Sequence, residues 1–201
     1  MHSLIFRSSK FTFLLLAVIS FPILLETEMI LQLWLNMVPA YTVVFVRLML
    51  CITIIDAMGG AFMVAAQSTG RVRFYQSVVG GILLAIVPVS YVVLRLGAAP
   101  WSVFLIHFCV CTVAFFVRLF IIRSMIHLSL YSYFHAVLLR CLYVLLLAMP
   151  LPIGLLYIFP ATLWAGISVC FVSVLTISLS SYRVGLAEGE RKFIKEKIRM
   201  F

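Results

Sequence analysis

Six long apolar stretches dominate the chain, near 11–35, 41–66, 75–97, 101–122, 136–159 and 162–181. Each offers the roughly 20 apolar residues that a helix needs to cross the hydrocarbon of a bilayer. Backbone that faces lipid has to satisfy its own hydrogen bonds, so helices are predicted throughout. The pattern predicts an all-α polytopic membrane protein, with six transmembrane helices in a domain over 1–181 and a basic tail over 182–201. Pro22, Pro88, Pro150 and Pro152 fall inside spans, where a missing N–H and a bulky ring should kink or break the helix. Ordinary packing curvature and a bend around a cavity both account for such prolines.

Charge adds orientation to this pattern. All Lys and Arg except Arg47 and Arg95 lie in the N-terminus, in alternate connections or in the tail. The groups are Arg7 with Lys10, Arg71 with Arg73, then Arg118, Arg123 and Arg140, and finally 183–199. The connections near 36–40, 97–100 and 157–163 carry no Lys or Arg. That alternation is a positive-inside signature and places both termini in the cytoplasm. With 65% hydrophobic residues and only 10% charged, against about 25% in soluble domains, a net charge of +9 is no argument for nucleic acid. It predicts a tail that touches anionic membrane lipid. Arg7 and Lys10 before an apolar run could pass for a signal peptide, but no small-x-small cleavage site follows, so the run reads as a retained first span. The connection at 123–135, rich in aromatics and histidine, reads as an interfacial segment between four helices and a terminal pair.

Five ionisable residues remain inside the spans: Glu26, Glu28, Arg47, Asp56 and Arg95. Such residues are costly in a membrane and therefore informative. A first hairpin turning near Val38 brings Glu28 level with Arg47, predicting a structural ion pair. A second, turning at 70–71, sets Arg95 at the same depth and Gly60 opposite Gly81, beside Gly59 and Gly80. Those glycines predict a close helix contact between the second and third spans. His107 lies in the outer half of the fourth span. Two readings stand: an ion pair plus a snorkelling Arg95, or a polar cavity wall in which Arg47, Arg95 and His107 receive an anionic headgroup. Asp56 sits near the middle of its span with no basic residue expected at its depth. It is then protonated or partnered from outside the chain, and it is the candidate for proton or cation coupling. Cys51, Cys109, Cys111, Cys141 and Cys170 form no CxxC pair or Cys/His cluster and read as packing residues. No glycine-rich phosphate loop, zinc-spaced set or Ser/His pair is present, so no enzyme, cofactor or metal site is expected.

Several stretches resemble the C-terminal part of Wzx-type polysaccharide flippases, of the multidrug/oligosaccharidyl-lipid/polysaccharide exporter superfamily. They are RSSKFTFLLL (7–16), the run at 22–35 ending in ILQLWL, VPAYTVVFVRL (38–48), AAQSTGRVRFYQSVVGG (65–81), PVSYVVLRLG (88–97) and VGLAEGERKFI (184–194). The likeness covers nearly the whole chain and consists mostly of packing and loop signatures. It implies helices nine to fourteen of a fourteen-helix exporter, with Met1 an internal methionine or the chain a remnant of a disrupted gene. A missing N-terminal lobe, or another copy, would then be the partner. The implied function is translocation of undecaprenyl-pyrophosphate-linked oligosaccharide repeat units across the bacterial inner membrane, with this portion inactive alone. The alternatives are a cation-coupled multidrug-type exporter of the same superfamily, with Asp56 as coupling site, and a non-transporting or vestigial membrane subunit.

Overall fold

The computed structural model describes residues 2–35, 37–158 and 163–186. Among them every regular element is helical. The helices are α1 His2–Leu25, α2 Thr27–Trp34, α3 Thr42–Ser68, α4 Val72–Leu84, α5 Ile86–Arg95, α6 Ser102–Ile126, α7 Leu130–Tyr133, α8 Leu139–Ala148, α9 Pro150–Ile158 and α10 Leu163–Ser180. Phe134–Leu138 and Ser181–Gly185 are π-helical. They merge into six membrane-length spans: Ser3–Leu25, Thr42–Ser68, Val72–Arg95, Ser102–Ile126, Leu130–Ile158 and Leu163–Gly185. Spans of this size reach about 35–43 Å at 1.5 Å per residue, enough for a hydrocarbon core of about 30 Å. Over the described residues the chain is all-α, with six helices long and apolar enough to span a membrane, as its apolar pattern predicts.

The turns fall where the hairpin reading puts them. Gly70, at φ +72, takes a left-handed conformation between α3 and α4 that a side chain would oppose. The proline breaks are also present. The third span is interrupted at Ala85, three residues before Pro88, and the fifth at Met149, before Pro150. A proline ring displaces the carbonyl four residues back and lacks the N–H to bond it. In the first span the helix continues through Pro22 and bends at Glu26.

Four sequence expectations are corrected. The first span begins at Ser3, not near 11. Ser9 and Lys10 are turned inward, at 0% and 4% exposed, so these polar residues belong to the bundle and do not mark its edge. The connection at 123–135 is almost wholly helical: α6 runs to Ile126 and α7 starts at Leu130. His127, at φ 52, and the N-capping Ser129 make a tight reversal between them. Arg118, assigned from its neighbours to a cytoplasmic connection, lies inside α6, about two turns before its end. The glycine-lined contact between the second and third spans does not form. A Cβ on Gly60, Gly80 or Gly81 would meet nothing within 4 Å, whereas one on Gly59 would strike Arg118. Most of the expected tail, 187–201, lies outside the described residues, and 182–185 continue the last helix as π-helix.

The lateral order explains the glycine result. α6 packs along α3 and along α4–α5, while α1 packs on α3 and on α10, which in turn covers α8 and α9. An aromatic cluster pins this arrangement. Phe62 of α3 touches Phe115 of α6 at 5.7 Å and Tyr133 of α7 at 5.4 Å, and Phe6 of α1 meets Tyr133 edge-on at 5.5 Å. In lipid such contacts act by dispersion and shape fit, because tails are as apolar as the side chains they would replace.

Candidate functional site

The strongest polar feature is an ion pair in the middle of the membrane spans. Asp56 stands at the centre of α3 and accepts a hydrogen bond from Arg118 Nη1 at 2.8 Å. Asp56 was expected to lack a basic residue at its depth, and Arg118 is that residue. α3 and α6 run in the same direction, and Asp56 and Arg118 lie at similar distances from Thr42 and Ser102, where these helices start. The two groups differ in setting: the Arg118 side chain is 13% exposed and that of Asp56 58%. The arginine is sunk between the helices and the carboxylate stands at the rim.

Gly59 makes this geometry possible. It precedes the aromatic Phe62 on the buried face of α3, and its missing side chain is the trough along which the Arg118 guanidinium passes. Arg118 Nε is enclosed with no hydrogen-bond partner. Tyr75 of α4 and Cys111 of α6 lie within the electrostatic reach of the pair.

Asp56 belongs to a continuous exposed stripe on α3: Met49, Thr53, Asp56, Gly60, Met63 and Gln67. The spacing of three and four residues keeps them on one face. The side of α3 turned away from the stripe carries the buried Met58 and Phe62. Beside the stripe, α1 and α3 enclose a groove of about 370 Å³ walled by Ser8, Thr12, Ala57, Gly60, Ala61 and Val64, among others. A membrane-embedded face with a carboxylate, an amide, a threonine and a glycine differs from the Leu- and Phe-rich surface of α8 to α10.

The other sequence candidates lie apart from this site. Arg47 Nε donates to Thr27 Oγ1 at 3.4 Å. The depth register is therefore nearly right, but the partner is the residue before Glu28, which is itself exposed. The expected Glu28–Arg47 ion pair does not occur among the described residues. Glu26 turns toward α10, where its carboxylate lies near Gly166. Arg95 folds back on its own helix, donating from Nε to the Tyr91 hydroxyl at 2.9 Å, with the guanidinium 5.3 Å from the ring centroid. His107 is half-buried on α6, one turn past the stacked Phe45–Phe104 pair that joins α3 to α6 at 4.7 Å. No hydrogen bond or ion pair links Arg47, Arg95 and His107 among the described residues.

Sequence reasoning missed Arg118 because it was counted with Arg123 and Arg140. The four apolar residues 119–122 between Arg118 and Arg123 carried the signal, since they form a further turn of helix. Among the described residues no three His, Cys, Asp or Glu side chains converge in a way that could hold a metal ion. No family model, curated protein or solved structure matches the chain.

Proposed function

We propose that this chain forms part of a flippase that carries a lipid-linked oligosaccharide across the bacterial inner membrane, with the α3 stripe facing the translocation path. The observation that carries this reading is the Asp56–Arg118 pair, with Asp56 58% exposed at the middle of a membrane span. A charged group at that depth costs about 2.5–3.5 kcal/mol on insertion scales when it faces lipid. The stripe is accordingly covered in the membrane by further helices, from a longer chain or a second copy, with water between. Such a path suits an amphiphile whose pyrophosphate and sugars pass through polar surroundings while its polyprenyl tail stays in lipid. The resemblance to Wzx-type flippases supports the same substrate class. Arg118, sunk beside the stripe, is the cation proposed to meet the pyrophosphate.

A second reading, cation-coupled export of small drugs, is favoured by the exposed carboxylate itself. Deleting the encoding gene separates the two. On the flippase reading, cells accumulate undecaprenyl-linked repeat units at the cytoplasmic leaflet and lose surface polysaccharide. Unchanged polysaccharide with impaired efflux of cationic dyes would instead establish the exporter.

Orientation belongs to the same proposal, with both termini cytoplasmic, since the Arg71 and Arg73 turn shares the face of the chain's start. In a cysteine-free background, single cysteines at 71–73 should react with impermeant maleimide only after the membrane is opened, and those at 98–100 in intact cells. The reverse pattern would invert the topology.

A further inference from the structure

We propose that the turn joining α6 to α7 is a binding site for the headgroup of an anionic phospholipid. The proposal stands independently of any transport activity. A bowl of about 540 Å³ opens there, lined by Arg123, His127, Leu128, Ser129, Leu130 and Tyr131. The turn connects the spans Ser102–Ile126 and Leu130–Ile158, so it lies at a membrane surface, where lipid phosphates are found. It shares that surface with the start of α1 and with Arg71 and Arg73.

The bowl is held in shape from below. Leu128 is 2% exposed and plugs the turn into the core. Ser129 Oγ accepts from the Ser132 backbone N–H at 3.3 Å and starts α7. His127 is fixed in a left-handed conformation between the two helices. Tyr131, 79% exposed, stacks on His135 at 5.7 Å, as aromatics do at the level of headgroups.

Its chemistry selects an anion. Arg123 is exposed and meets no carboxylate among the described residues. The carboxylates described are Glu26, Glu28 and Asp56. Asp56 is engaged by Arg118, and the two glutamates lie near the far end of the first span. A guanidinium offers a two-pronged donor to phosphate oxygens. His127 and Ser129 line the same bowl, and Leu130 supplies an apolar wall for glycerol and acyl carbons. An isolated cation at a membrane surface attracts any anion weakly. A walled bowl with a fixed turn adds geometry to that attraction, which favours a lipid phosphate delivered at high local concentration by the bilayer.

The test uses the full protein in nanodiscs of phosphatidylcholine doped with phosphatidylglycerol. Native mass spectrometry reads the lipid retained after detergent release. The wild type should retain phosphatidylglycerol over phosphatidylcholine, and Arg123→Gln should lower that retention about tenfold. Arg71→Gln, which removes a charge from the same face outside the bowl, should change it less than twofold. Equal losses from the two variants would reduce the effect to surface charge and overturn the site. Absence of any preference for phosphatidylglycerol would do the same, as would displacement of the lipid by millimolar inorganic phosphate, which would make a soluble anion the ligand. Should Arg123→Gln fold poorly, a photoactivatable phosphatidylglycerol provides the second measurement on the wild type. Cross-links at 127–131 support the proposal, and cross-links spread evenly over the basic turns reject it.

Discussion

Asp56→Ala should destabilise the bundle more than Arg118→Met, even though the two residues share one ion pair. The asymmetry follows from what each leaves behind. Without Asp56, the Arg118 guanidinium remains 13% exposed along Gly59 with Nε already unpartnered, and an arginine cannot shed its charge. Without Arg118, the Asp56 carboxylate, 58% exposed, keeps its access to water. The expected loss for Asp56→Ala is about 2.5–3.5 kcal/mol, the cost of an uncompensated charge at the centre of a spanning helix. Arg118→Met should lose about 1 kcal/mol, closer to a pair that faces water. The double variant should recover most of the Asp56→Ala loss, because it removes the stranded charge. Reversible unfolding in mixed micelles gives all three values. Equal losses for the single variants would overturn the asymmetry, and strict additivity in the double would show that the two residues are not coupled.

The number of spans and the places of the turns were legible in the sequence; the depth of Arg118 and the lateral neighbours were not. Bilayer thickness fixes how far each helix extends, so hydropathy alone placed six spans and put turns near Val38 and Gly70. The same logic set Arg47 almost level with its partner, missing only the choice between Glu28 and Thr27. Which helices touch depends on the fit of their faces, and a sequence read one hairpin at a time assumes that consecutive spans pack together. Here α6 takes the face of α3 that was reserved for the third span. That one substitution of neighbours supplies Arg118 to Asp56 and leaves Gly60, Gly80 and Gly81 without a close contact. Lys10 shows a second limit. A lysine read as a membrane boundary is in fact 4% exposed inside the bundle, since a charge count cannot tell a solvated group from one turned inward.

Gly59 and Gly60 are adjacent in sequence and should respond in opposite directions to the same change. Gly59→Val places a branched side chain where the Arg118 guanidinium runs. The far end of a flexible arginine can move, so the helix survives. Moving it costs the 2.8 Å bond to Asp56 and forces the charge toward a less favourable position. Overpacking of this kind typically costs 1–3 kcal/mol, and loss of the ion pair should bring the total to about 3 kcal/mol. Gly60→Ala meets nothing within 4 Å and lies in the interior of α3. It removes backbone freedom from the unfolded chain without a clash, for a gain of about 0.5–1 kcal/mol. Unfolding midpoints of the two variants, measured against the wild type, decide the matter. The second-site change Arg118→Met should rescue Gly59→Val and leave Gly60→Ala unaltered, because only the first acts through that side chain. If both glycine variants are equally destabilised, α3 is covered on both faces in the assembled protein. The stripe at Thr53, Asp56, Gly60 and Gln67 would then be a packed interface, leaving no room there for a translocation path.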